Sequence, residues 1–162
     1  MTDTSFLEGK RVLVVDDELD VIDTVRDLLP MCDMVTASSF EAAKQQLESQ
    51  SFDVAILDIM GVSGYELLDI CAAKDITAVM LTAHAVSREH IKKSYIKGAA
   101  YYIPKEEMSG LESFLTEVLQ AKEKGQNTWA GWYKRFFNFC ERRFGKDWVE
   151  KDKDFLDKIT YY

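Results

Sequence analysis

The chain has 162 residues, 47% hydrophobic and 30% charged, which suits one good-sized globular domain, or one domain with an appendage, rather than disorder. Its net charge of −8 is uneven: residues 1–119 hold 10 Lys/Arg against 21 Asp/Glu, net −11, while residues 120–162 hold 10 against 7, net +3. That balance argues against a nucleic-acid binder, which needs a basic footprint, and no apolar run approaches a signal-peptide core or a membrane span, so a cytoplasmic location is expected.

In chain order, VLVV (12–15) is a continuous apolar run of the kind buried on both faces of a parallel sheet. Residues from about Asp20 to Leu29 read as a helix stopped by Pro30, which cannot continue the hydrogen-bond ladder. MVTA (34–37) is a short strand, and Ser38 or Ser39 caps a helix running to about Ser49. VAILD (54–58) is a second apolar strand, followed by a loop with Gly61 and Gly64 and an amphipathic helix over 65–74. ITAVMLT (76–82) is a buried strand, and Ser87 opens a helix that Gly98 ends. AAYYI (99–103) is the last strand, with a helix from about Ser109 to Lys124. Five βα units in about 120 residues predict an α/β fold with a doubly wound five-stranded parallel sheet. Cys32, Cys71 and Cys140 are too widely spaced for a zinc motif or a disulfide framework and are expected as buried thiols in a reducing compartment.

In such sheets ligands bind beyond the carboxyl ends of the strands. Those ends carry Asp16 and Asp17, Asp58, Thr82, and Lys105 just past the fifth strand. Converging carboxylates repel one another unless a cation joins them, and hard oxygen donors with room for water suit Mg²⁺. A carboxylate beside such a metal can attack phosphorus, while a lysine and a hydroxyl take the phosphoryl oxygens.

With the acidic pair Asp16-Asp17 after VLVV, Asp58 closing VAILD, Thr82-Ala83 closing ITAVML and Lys105 after AAYYIP, residues 9–122 resemble the receiver domain of two-component response regulators (CheY-like). The resemblance implies a flavodoxin-like sheet order. It makes Asp58 the phosphoacceptor, with Asp16, Asp17, Asp58 and the Met60 carbonyl holding Mg²⁺. Thr82 and Lys105 would then hold the phosphoryl group, with Thr82 and Tyr102 as the switch pair. His84, two residues after Thr82, is a candidate for the pocket rim, although such a histidine is more often merely exposed, and His90 is expected on a helix surface. Two features depart from the family pattern: the loop IMGVSG is short and lacks proline, and Pro104-Lys105 inverts the usual lysine-proline pair, so the cis peptide after the lysine is not expected.

The division expected is a receiver domain over 1–124 and a helical extension over 125–162. Residues 121–162 hold all three tryptophans and 11 of the 19 aromatic residues. A helix capped by Asn127 or Thr128 and closed by Gly145 puts Trp129, Trp132, Tyr133, Phe136, Phe137, Phe139, Cys140 and Phe144 on one arc, and a second short helix follows Asp147. Such a face needs cover: the receiver itself, a second copy in a homodimer, a partner protein, or, less favoured, a membrane surface. The extension is too short and too mixed in charge for a DNA reader.

The leading expectation is a stand-alone signalling switch that takes a phosphoryl group from a sensor histidine kinase or phosphotransfer protein and acts on a downstream protein, rather than an enzyme. One alternative is a Mg²⁺-dependent phosphatase or phosphotransferase of the haloacid dehalogenase-like kind, which would want an acid at Met60. The other is a binding or dimerisation module that does not switch.

Overall fold

The computed structural model describes residues 4–83 and 86–160. Five parallel strands, β1 (Arg11–Val15), β2 (Asp33–Ala37), β3 (Val54–Leu57), β4 (Thr77–Thr82) and β5 (Tyr101–Pro104), form one sheet in the order β2-β1-β3-β4-β5. Val12–Val15 pair with Met34–Ala37 on one side and Val54–Leu57 on the other. All four of those β1 residues are buried, as a strand covered by helices on both faces requires. Pro104, with no N–H to give, ends β5 at the sheet edge, where its missing donor costs no ladder bond.

The crossovers are α1 (Leu19–Leu28), α2 (Phe40–Ser49), α3 (Gly64–Ala73) and α4 (Arg88–Ile96), followed by α5 (Leu111–Glu123). Ser39 Oγ accepts the Ala42 N–H at 3.2 Å and Ser87 Oγ accepts the His90 N–H at 3.1 Å, so two of the expected serine caps are in place. A 3₁₀ stretch, Lys105–Gly110, precedes α5, so that helix starts two residues later than expected.

Two compact units divide the chain, Met1–Thr116 and Glu117–Tyr162. In the second, α6 (Thr128–Phe144) is capped by Asn127, whose Oδ1 accepts the Trp129 N–H at 2.9 Å and whose Nδ2 donates to the Ile159 carbonyl. The single helix expected after Asp147 is instead two, α7 (Trp148–Lys151) and α8 (Lys153–Thr160). The break falls at Asp152, which leaves helical geometry and whose carbonyl accepts the Leu156 N–H at 2.9 Å. Trp129, Trp132, Phe136, Phe139 and Cys140 are buried, and Tyr133, Phe137 and Phe144 are half-buried. The Trp148 ring lies 5.8 Å from Phe137 and 6.1 Å from Tyr133, and Trp129 meets Phe155 edge-on at 6.4 Å. Trp148 of α7 and Phe155 of α8 thus meet Trp129, Tyr133, Phe137 and Phe144 of the aromatic face of α6. Cys71 and Cys140 are buried, but Cys32, in the turn just before the edge strand β2, is only half-buried, its thiol directed at the Leu7 carbonyl. Among the described residues, no helix is long and apolar enough to cross a membrane.

Candidate functional site

The strand ends converge as their order requires. Asp16 follows β1 and Asp58 follows β3, the neighbouring strand, and the Asp58 N–H donates to the Val15 carbonyl at 3.0 Å. Both carboxylates are buried, 2% and 4% exposed, and two acids this deep need a cation. Lys105, the first residue after β5, supplies it. Its Nζ lies 2.8 Å from Asp16 Oδ2, 3.3 Å from Glu18 Oε1 and 3.7 Å from Asp58 Oδ2.

The remaining oxygens are held locally. Asp16 Oδ1 accepts the Glu18 N–H at 2.9 Å, and Asp58 Oδ1 accepts the N–H of Ile59 at 2.9 Å, leaving Asp58 Oδ2 directed at the lysine. Burial, and then the charge of Asp16, push the Asp58 carboxyl up to about 6, against the pull of Lys105 and the Ile59 N–H. Lys105 is raised: its carboxylate partners outweigh the burial that opposes its charge.

Two glycines shape the loop after Asp58. Gly61 has φ +84°, and a Cβ there would fall 2.7 Å from Asp17 Cγ, so the chain turns tightly under that carboxylate. At Gly64 a Cβ would run into the Asp58 carbonyl oxygen and lie 2.8 Å from Ile59 Cα. The first turn of α3 is therefore pressed against the backbone of Asp58.

Thr82 ends β4 fully buried, and its Oγ1 makes no hydrogen bond among the described residues. A buried hydroxyl without a partner is costly and marks a place where a ligand oxygen would be welcome. Tyr102 is fully buried in β5, opposite Met80 of β4. Met60 is 52% exposed in the loop after Asp58. His84 lies outside the described residues.

Asp16, Asp17 and Glu18 each offer a carboxylate oxygen, all within 4.8 Å of one another. This all-oxygen donor set, partly open to water at Asp17, fits a hard divalent cation such as Mg²⁺. Glu18 belongs to this cluster and to the Lys105 contact, which the sequence reading passed over; its signal was the unbroken run DDE at the end of β1. His90 is not a plain surface residue: its Nδ1 lies 2.7 Å from Tyr65 Oη and its ring stacks on Tyr65 with centroids 5.7 Å apart.

Comparison with known proteins bears on this arrangement. Residues 12–116 match the family model of the response regulator receiver domain. The chain is 31% identical over 106 residues to the two-component response regulator ARR18 of Arabidopsis thaliana, covering 62% of this chain and 16% of that protein. It is 34% identical over 98 residues to the heme response regulator HssR of Staphylococcus aureus, covering 57% of this chain and 43% of that protein. It thus spans less than half the length of either relative. A CheY-like response regulator receiver domain protein from Methanospirillum hungatei superimposes with a TM-score of 0.67 at 27% identity, over 73% of this chain and 99% of that one. The response regulator TrrA from Thermotoga maritima, solved in complex with Mg²⁺-BeF, gives 0.59 at 29% identity, over 67% and 98%.

Proposed function

Since this chain belongs to the response regulator receiver domain family, we propose that it is a phosphorylation-dependent switch in which Asp58 accepts a phosphoryl group from a sensor histidine kinase or phosphotransfer protein. The observation that carries the proposal is a lysine, its side chain 10% exposed, held between Asp16 and Asp58, at the same end of the sheet as a buried threonine hydroxyl with no hydrogen-bond partner among the described residues. Asp58 Oδ2 attacks the donor phosphorus and the bond to the donor's leaving group breaks. The new phosphoryl oxygens then take Lys105 Nζ and Thr82 Oγ1. Asp16, Asp17, Asp58 and the Met60 carbonyl would hold Mg²⁺, which when bound offsets charge on the incoming group.

Phosphorylation adds charge and strong acceptors to a pocket that already balances its acids against one lysine. Thr82 is drawn toward the phosphoryl group and Tyr102 follows, altering the surface offered to partners. The protein turns over only its own phosphate, so it acts as a switch rather than an enzyme. Residues 1–124 form the receiver in this reading. Residues 125–162 serve a downstream protein contact or a homodimer, through the rings that stay half-exposed, Tyr133, Phe137 and Phe144.

Intact mass after incubation with a small phosphoryl donor, with and without Mg²⁺, tests the proposal on wild type and Asp58→Asn. One added phosphoryl group, dependent on Mg²⁺ and absent from the variant, is the expected result. No gain under any condition overturns it.

A further inference from the structure

Tyr65 and His90 join two helices that flank the pocket. Tyr65 stands in the first turn of α3, next to the glycine pressed on the Asp58 backbone. His90 stands in the first turn of α4, three residues after the capping Ser87. Their rings are nearly parallel, 7° apart, and the Lys93 ammonium lies 4.3 Å over the outer face of the contact, at the Tyr65 ring.

The hydrogen bonds are dense. With the ring proton on Nδ1, His90 donates to Tyr65 Oη at 2.7 Å, and the phenol donates to the His90 carbonyl at 3.2 Å. The fully buried Ser94 hydroxyl donates to that same carbonyl at 2.8 Å, and the His90 N–H is taken by Ser87 Oγ at 3.1 Å. Main chain and imidazole of one residue are thus both fixed.

This contact makes a second route between the two strand ends that a phosphoryl group would draw together. It runs from the Asp58 backbone to Gly64, on to Tyr65, across to His90 and back to Ser87, five residues after Thr82 in the chain.

We propose that Tyr65 and His90 are positioning residues that hold α4 against α3 in the unphosphorylated state and thereby set how readily Asp58 takes a phosphoryl group. The inference rests on the reading of Asp58 as phosphoacceptor. If the anchor stabilises the resting arrangement, weakening it enlarges the fraction already disposed to accept the group, and the rate rises in proportion.

Initial rates of phosphorylation by acetyl phosphate in Mg²⁺, read by intact mass, test this on wild type, Tyr65→Phe and His90→Ala, with melting temperatures alongside. Tyr65→Phe keeps the ring stack but loses the phenol bonds and is expected to react about fivefold faster. His90→Ala loses stack and bonds and is expected to be faster still, while His90→Asn, which keeps a donor, returns toward wild type. A merely structural role would lower stability and leave the rate unchanged or slower, and that result overturns the anchor. In the wild type, the imidazole NMR shift of His90 should move on phosphorylation; in Tyr65→Phe it should start part-way to that position. A wild type that takes up no phosphate defeats the phosphoacceptor reading and the anchor together; uptake in wild type with unchanged rates in every variant defeats the anchor alone.

Discussion

Asp58→Asn should stabilise the metal-free protein at neutral pH, even though it removes the residue on which the proposed function depends. The Asp58 carboxyl is pushed from 3.8 up to about 6, first by burial and then by Asp16. At about 1.4 kcal/mol per pH unit, ionising it in the folded state costs about 3 kcal/mol relative to the unfolded chain. Asparagine has the same shape, keeps an oxygen for the Ile59 N–H, and carries no charge. The attraction of Lys105, 3.7 Å away, is already contained in that net shift; with part of the figure given up to the fit of the amide nitrogen in a carboxylate's place, a gain of about 2 kcal/mol is expected. For a chain of this size that corresponds to a rise in melting temperature of about 4–8 °C.

The sign follows from the direction of the shift. The folded state binds this proton more tightly than the unfolded state does. The wild type is therefore unpenalised below about pH 3.8, loses stability as pH rises toward 6, and carries the full cost above that. Urea denaturation in EDTA at fixed ionic strength, from pH 4 to 8, should show the variant ahead above pH 6 and the curves meeting near pH 4. A variant no more stable than wild type at pH 7.5, or a gap that does not vary with pH, would refute the electrostatic account of this pocket.

Lys105→Ala leaves Asp16 and Asp58 buried without their cation, so about 3 kcal/mol of stability should be lost in urea denaturation, and phosphorylation followed by intact mass should slow by about a hundredfold. Gly64→Ala drives a methyl group into the Asp58 carbonyl, and because both sides are backbone the clash has no soft partner; a loss of about 3 kcal/mol should appear as a lowered melting temperature. Trp132 is 1% exposed in the second unit, and Trp132→Ala should cost about 3–5 kcal/mol there, seen as early loss of near-ultraviolet circular dichroism from the tryptophan-rich helices.

The fold was legible because buried parallel strands leave continuous apolar runs: VLVV, VAIL and TAVMLT could hardly be anything else, and serine marked the helix starts at Ser39 and Ser87. The acids and Lys105 were legible because each directly follows a strand, so topology alone gathers them at one end of the sheet. What escaped was decided by side-chain reach between elements distant in sequence. Nothing local to His90 tells that Tyr65, 25 residues earlier, will lie under its ring. Glu18 stands directly before α1, and only the fold reveals Lys105, 87 residues on, within its reach. The break at Asp152 was hidden by a good helical apolar pattern on both sides, which continues in phase across the interruption.

The strand order has a consequence for how the chain assembles. β1 lies in the sheet between β2 and β3, so the first 57 residues supply three adjacent strands, and β4 and β5 extend the sheet beyond β3. Asp16 and Asp58 meet as soon as β1 and β3 pair, whereas Lys105 arrives with the last strand. The first three strands alone would thus gather the carboxylates without the cation that offsets them. The residue just past the edge strand β5 therefore completes the charge balance of a site whose acids come from the first half of the chain.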